Sequence, residues 1–285
     1  MGKVLKVNEL EIWYEEFGDR EQESILLIMG ANANCKHWDL EFINKLVSKN
    51  FHVVRFDNRD VGKSTWIGKE PIYNKFLKFL PSLLLKLLVN KIFGLAVDTN
   101  GKFKFSEVSQ VHYDLSDMAK DAVSLMDKLN IEKAHIIGAS MGGMITQIIA
   151  LDYPHRVLSI TPIMTSPGIQ NQSLSGPTNE LLEAMKKSFV FNLKGKIEDG
   201  VVEIYRQLTG SRFPFNEKKF REKLKLVVEH GNNPFALHGA AVGASPDRTS
   251  RLHEIKVPTL VIHGTEDAIL PLDHGIAVAD GITDS

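Results

Sequence analysis

Gly138-Ala139-Ser140-Met141-Gly142-Gly143 follows an apolar, β-branched run and opens a second apolar stretch of helical character. A serine hydroxyl is a poor nucleophile at neutral pH unless its surroundings activate it. A Gly-x-Ser-x-Gly sequence between a strand and a helix supplies such surroundings. It holds the serine on a tight, strained turn with its hydroxyl outward and a helix N-terminus behind it. Gly138 and Gly142 leave room for that turn, because any side chain there would collide with the neighbouring backbone. The chemistry such a serine performs is acyl transfer, in which the hydroxyl attacks a carbonyl carbon.

That chemistry needs two further groups. The negative charge that develops on the carbonyl oxygen must be met by backbone N–H donors. The Met141 amide, directly after the serine, is one candidate. The Ala31 amide, in the polar loop Met29-Gly30-Ala31-Asn32, is the other, with Gly30 letting the chain bend toward the substrate. A carboxylate must also orient the base and stabilise its cation. Asp267, in His263-Gly264-Thr265-Glu266-Asp267, is the preferred candidate, and Glu266 is its neighbouring competitor. A helix-capping role for Asp267 is the plainer alternative.

The elements that would hold these residues alternate strand and helix. Continuous apolar runs at 25–29, 52–56, 134–137 and 259–263, with a weaker one at 158–162, suit strands buried on both faces of a parallel sheet. Helical spacing appears at 38–48, at 117–129 with Ser116 as its N-cap, and at 141–153, which is apolar almost all round and stops at Pro154. Residues 4–7 and 11–17 suggest an antiparallel hairpin at one edge. The pattern predicts a doubly wound α/β fold. Two stretches interrupt it, at 67–111 and 168–251, the second mostly helical and interposed before the last strand. There is no internal repeat and no low-complexity linker.

The segments Leu27-Ile28-Met29-Gly30, Phe56 to Thr65, Tyr113 to Ala119, Gly138 to Gly143 and Val261 to Asp267 together resemble the α/β-hydrolase superfamily. The chain is most similar to its aclacinomycin methylesterase-like branch. The resemblance covers nearly the whole chain outside the two interruptions. It implies a mostly parallel, doubly wound sheet with a helical cap: a hydrolase core over 1–167 and 252–285, and a cap over 168–251. It implies an ester hydrolase acting through an acyl-serine intermediate, and the apolar run at 76–95, lining the pocket entrance, would make its substrate small and largely apolar. Lactone hydrolysis, carbon–carbon bond hydrolysis and cofactor-free perhydrolysis are the alternatives on the same site. Haloalkane dehalogenase and epoxide hydrolase chemistry is disfavoured, because those enzymes place Asp where this chain has Ser140.

The family order Ser…Asp…His also implies a further strand and a histidine roughly 25–30 residues beyond the acid. The sequence ends at Ser285 before that pattern is complete, so the expectation is a chain shortened at its C-terminus that lacks the final strand and the usual base. Four histidines were weighed as substitutes: His274 near the start of the last helix, His263 at a strand end, His37 after the oxyanion loop, and His238 in the cap. None has a spacing that demands catalysis. A non-catalytic ligand-binding protein on the same scaffold, or an inactive fragment, is therefore the competing reading.

Other features exclude more than they assign. The 34 basic and 35 acidic residues give a net charge of −1, with no general electrostatic reason to bind nucleic acid. The single cysteine, Cys35, rules out an internal disulfide and reads as a core or pocket-wall thiol. No metal-ligand spacing and no phosphate-binding loop is evident, so no metal and no cofactor is expected. Residues 76–95 are apolar but interrupted by Lys78, Lys86, Lys91 and Pro81, which argues against a membrane span. They read as a cap helix, with a lipid-surface helix as the alternative. Arg59 of the charged loop 57–60 is expected to tie that loop through an aspartate. The N-terminus shows no signal peptide, and Lys6 stands where a myristoylation signal wants Ser or Thr. The cytoplasm is the favoured compartment, a small-molecule ester the expected partner, and self-association is left open.

Overall fold

The computed structural model describes residues 2–69, 76, 77, 79–98, 101–104 and 112–283. Six strands form one sheet: β1 (Lys3–Val7), β2 (Leu10–Phe17), β3 (Ser24–Ile28), β4 (His52–Phe56), β5 (Ala134–Ala139) and β6 (Val157–Ile163). Their spatial order is β1-β2-β4-β3-β5-β6. The first two make an antiparallel edge hairpin, β2 pairs antiparallel with β4, and β4, β3, β5 and β6 run parallel. Chain order leaves β3 in one direction to reach β4 and in the other to reach β5. The topological switch therefore lies beside β3, and a crevice opens beyond the carboxyl ends of β3 and β5.

Alternation along the strands explains why both faces are covered. Leu26, Ile28, Val54, Phe56, Ile136 and Ile160 belong to one cluster, while Ile25, Leu27 and Val53 belong to another on the opposite face. α1 (Leu40–Val47) contributes Ile43 to the second cluster. α3 (Leu115–Lys128) and α4 (Met141–Asp152) cover the first, and every residue of α4 from Met141 to Ala150 is buried. α2 (Ser82–Ala96) is the main described part of the interruption expected at 67–111. The helical stretch at 168–251 contributes α5 (Asn179–Leu193), α6 (Ile197–Leu208), α7 (Glu217–His230) and α8 (His238–Ala244). α9 (Leu272–Gly281) follows.

Three expectations are corrected. The N-cap of α3 is Asp114, not Ser116: its carboxylate accepts the Ser116 and Asp117 amides, and Asp117 reaches back to the Asp114 amide in a capping box. The first helix begins at Leu40 rather than Trp38, because Asp39 caps it through the Glu41 amide. Residues 259–263 do not form a full strand. They join β6 through single parallel bridges, Ile160 to Thr259 and Ile163 to Ile262, and leave Leu260 and Ile262 exposed.

Buried polar groups fasten the helical stretch to the sheet's carboxyl end. Arg59 forms the expected ion pair, with Asp121 of α3 at 2.7 Å. Asp60 is fully buried and accepts hydrogen bonds from the Tyr113 hydroxyl and the amides of Ile67, Gly68 and Leu237. Burial alone would raise its pKa, but these donors outweigh burial and hold it below the usual carboxylate range. A depressed folded pKa adds stability above the ordinary range and loses it as pH falls through the folded value. Asp60→Asn is therefore expected to cost about 2 kcal/mol at neutral pH, with the gap to the parent narrowing below about pH 4. Urea denaturation across pH checks this, and a gap constant with pH would refute it.

Candidate active site

Ser140 sits between β5 and α4 with φ 54° and ψ −119°, a conformation outside the regions a side-chain-bearing residue prefers. The fold overdetermines it. The Ser140 amide donates to the Ile163 carbonyl at 2.8 Å, and its own carbonyl accepts from the Gly143 and Met144 amides and from the Thr165 hydroxyl. A Cβ at Gly138 would lie 2.2 Å from the Gly142 carbonyl oxygen, and a Cβ at Gly142 would lie 2.2 Å from the Ile28 carbonyl oxygen. Both flanking positions thus require glycine because β3, β5 and α4 meet there. Among the described residues, no hydrogen bond engages the Ser140 hydroxyl.

The loop after β3 lies against the serine. A Cβ on Gly30 would sit 3.1 Å from Ser140 Cβ and 3.6 Å from its Oγ. In that loop the Asn32 amide donates to His238 Nδ1 at 2.8 Å, and the Ala33 amide donates to the Gly30 carbonyl. Among the described residues, no hydrogen bond engages the Ala31 amide. Met141 begins α4, so its amide is among those a helix leaves unpaired at its N-terminus. The structure therefore brings Ser140, Gly30, Ala31 and Met141 to one place at the carboxyl ends of β3 and β5.

Asp267 reaches the same end of the sheet by a different route. The Met164 amide, just past β6, donates to the Ile262 carbonyl at 2.7 Å, and the loop 263–267 starts from there. One carboxylate oxygen of Asp267 accepts the Ile269 and Leu270 amides at 2.9 and 3.0 Å. The other lies 3.8 Å from His263 Nε2. Glu266 is turned away, its carboxylate held by the amide and hydroxyl of Ser211. The capping bonds thus fix Asp267 while leaving one oxygen open.

Each of the four candidate histidines is held by at least one hydrogen bond. His263 Nε2 donates to the Leu270 carbonyl at 2.7 Å. His274, expected at a helix start or the surface, is buried on α9 and bonds Ser166 Oγ and the Ser175 carbonyl, each at 2.8 Å. His37 bonds the Asn34 carbonyl and stacks on Tyr205. His238 is fully buried. Its Nδ1 accepts from Asn32, so its Nε2 carries the proton and donates to the Arg59 carbonyl at 2.7 Å. Burial depresses the pKa of His37, His238 and His274, which favours the neutral ring in each. His238 bridges the Gly30 loop and the 57–60 loop, a connection that its place in the sequence did not reveal.

A second polar cluster lies below. Cys35, Asp57 and His230 are buried, with donor atoms within 4.8 Å of one another, the one group among the described residues spaced to hold a metal ion. Each is already committed. Asp57 accepts the Cys35 amide, the Lys63 amide and His230 Nε2 at 2.8, 2.9 and 2.7 Å. Burial, reinforced by Asp57, pushes the Cys35 thiol well above its usual range. Asn34 extends the cluster, donating to the Val227 and Gly231 carbonyls at the end of α7. Cys35 and the charged loop that contains Asp57 are legible in the sequence, while His230 is not. Asp57 and His230 are 173 residues apart, so no local signal pairs them.

The model of the alpha/beta hydrolase fold family matches residues 23–284. A rhodomycin D methylesterase from Streptomyces sp. (strain C5) is 25% identical over 98% of this chain and 87% of that protein. A 2-hydroxy-6-oxo-6-phenylhexa-2,4-dienoate hydrolase from Comamonas testosteroni is 32% identical over 59% of this chain and 58% of that protein. Among solved structures, a bromoperoxidase from Bacillus anthracis superposes with a TM-score of 0.69 at 17% identity, covering 100% of this chain and 89% of that one.

The packing at the turn yields a direct test. Gly142→Ala puts a methyl group into the β3 backbone, which cannot retreat without breaking its pairing with β5. A loss on the order of 3 kcal/mol in folding stability is expected, measured by thermal or urea denaturation. A change under about 0.5 kcal/mol, the range of neutral surface substitutions, would show that the contact relaxes freely.

Proposed function

Because the chain belongs to the α/β-hydrolase fold family, we propose that it is a hydrolase that cleaves the carboxylic ester of a small, largely apolar substrate through an acyl-serine intermediate. The observation that carries this reading is Ser140: strained, free of hydrogen bonds among the described residues, and adjacent to the Gly30 loop. The Ser140 Oγ attacks the ester carbonyl carbon and gives up its proton to a base. The amides of Met141 and Ala31 bind the oxyanion. The intermediate collapses, the carbon–oxygen bond to the alcohol breaks, and the alcohol leaves with a proton. Water then attacks the acyl-serine by the same route and restores Ser140. Asp267, with one oxygen held and the other open, suits the acid that orients the base.

Similarity to a methylesterase along nearly the whole chain supports an ester over a lactone or a carbon–carbon substrate. The partial similarity to a dienoate hydrolase makes carbon–carbon bond hydrolysis the second reading. Helices α5 to α8 form the proposed cap, supported at α7 and α8 by the bonds of Asn34, Asp60 and His238 to the loops around Ser140. The general base is the one role to which no side chain is assigned: His238 and His274 use both ring nitrogens, and His37 and His263 each hold a backbone carbonyl through one.

A fluorophosphonate is expected to label Ser140, and Ser140→Ala is expected to abolish both labelling and ester cleavage. No labelling of the folded protein would sink the hydrolase reading and favour ligand binding on the same scaffold. With no side chain assigned as the base, the labelling rate should show no inflection in the usual imidazole range, about pH 6–7. Turnover should fall toward the residual level, roughly 10³–10⁴ over water, that an oxyanion hole and binding sustain alone. An inflection near neutrality that one His→Gln substitution removes would instead identify that histidine as the base.

A second consequence concerns His238. Replacing it with Ala removes the acceptor of the Asn32 amide and frees the loop that presents Ala31. Labelling of Ser140 is expected to slow by about tenfold to a hundredfold, in line with a misplaced oxyanion donor. A rate unchanged in His238→Ala would show that the loop holds its position without this bond.

A further inference from the structure

The helix α2 has an outward face that the fold does not cover. A helix that is apolar all round belongs in a core or against lipid. Within α2 only Leu85 and Val89 are buried. These residues set the helix on its neighbour α5, and Lys194, following α5, donates to the Leu80 carbonyl just before α2. The opposite side carries Leu83, Leu84, Leu87 and Leu95, with Leu83 70% and Leu95 69% exposed. Phe79, leading into the helix, is 87% exposed, and Phe76 is exposed beside it. Contiguous apolar surface of this kind on a water-facing helix marks an interaction site.

The charges on the segment select the partner. Between residues 71 and 97 every charged residue is a lysine, namely Lys75, Lys78, Lys86 and Lys91, and there is no Asp or Glu. Lys86 and Lys91 are exposed alongside the leucines. Lysines beside an apolar face let the stems lie along the hydrocarbon while the ammonium groups reach anionic headgroups. A second copy of this chain is a poorer fit. In a two-fold dimer the patch meets itself, which would bring Lys86 and Lys91 against their own copies, and residues 71–97 hold no acidic residue of their own to pair them. The helix has 15 residues and so is about 22 Å long, short of the roughly 30 Å needed to cross a bilayer. No helix among the described residues is long and apolar enough to cross a membrane. The geometry points to a helix that lies in the plane of the surface.

We propose that α2, with Phe76 and Phe79 leading into it, docks the protein on the surface of an anionic lipid bilayer. The inference does not depend on the chemistry at Ser140. The test is cosedimentation of the full chain with vesicles of phosphatidylcholine alone and of phosphatidylcholine with phosphatidylglycerol. Binding is expected to the vesicles containing phosphatidylglycerol, weakened by salt. The double substitution Leu83→Asp with Leu87→Asp should reduce partitioning at least about tenfold. Both positions are exposed, so the circular dichroism spectrum and Tm should be unchanged. Lys86→Glu with Lys91→Glu should remove the preference for anionic vesicles while leaving the fold intact. Failure to sediment with phosphatidylglycerol vesicles would overturn the proposal. So would binding that neither double variant alters. A chain that elutes as a dimer, becomes monomeric on Leu83→Asp with Leu87→Asp and binds no vesicles would assign the face to a second copy instead.

Discussion

The close approach of three backbones at the end of β5 governs the rest of the molecule. The Ile28 carbonyl of β3, the Gly142 backbone of α4 and Gly138 of β5 come so near that no Cβ fits between them. Only in that packing does Ser140 keep its strained angles, held by the Ile163 carbonyl on one side and by its own carbonyl's three donors on the other. The strain is modest, of order 1–3 kcal/mol, and the buried α4 and the parallel ladder on each side outweigh it. The sheet order follows from the same point. β3 must be central for the Gly30 loop to meet the serine, which is why β4 lies on its far side and β5 on its near side.

Around this turn, polar groups rather than apolar contacts set the positions of the loops. Asp57 holds the loops at 35 and 63 and the end of α7 together, while Asp60 holds Tyr113 and the start of the segment leading to α8. Both carboxylates are fully buried, and each has at least three donors. A buried carboxylate with that many donors has its lone pairs satisfied, and losing any donor leaves part of it unsatisfied. Neutral histidines act as the complementary connectors. His238 accepts from one loop and donates to another, which an imidazole depressed in pKa by burial does without changing charge near neutrality.

The parts legible in the sequence are those with local signals. The runs at 25–29, 52–56 and 134–137 are β3, β4 and β5, within a residue or two, because strands buried on both faces need continuous apolar residues. The Gly-x-Ser-x-Gly turn was legible because its steric demand is met by glycines two residues either side of the serine. Legibility fails where long-range partners decide. Asp114 and Ser116 are both good caps two residues apart, and only the reciprocal bond from Asp117 chooses between them. The run at 259–263 reads as a strand, yet it meets β6 at two bridges, since a neighbour's geometry sets pairing and composition does not. His274 lies at the start of α9, as its place in the sequence suggests, but is buried rather than exposed, because Ser166 and Ser175 come to it from 108 and 99 residues away.

The histidines illustrate how composition and function separate. A catalytic base needs a ring whose second nitrogen is oriented and whose first is free to face the nucleophile. Here His238 and His274 use both nitrogens structurally, while His263 holds the Leu270 carbonyl through Nε2 and packs its buried Nδ1 against Gly275 of α9. Asp267 shows the opposite economy, with one oxygen fixed by two amides and the other uncommitted 3.8 Å from His263. An acid can be both capped and available because a carboxylate has two oxygens with several lone pairs, whereas a neutral imidazole has one donor and one acceptor. The same difference explains why buried carboxylates serve here as hubs for several loops and buried imidazoles as two-point bridges. The number of bonds a side chain can make fixes its place in this structure before its ability to titrate matters.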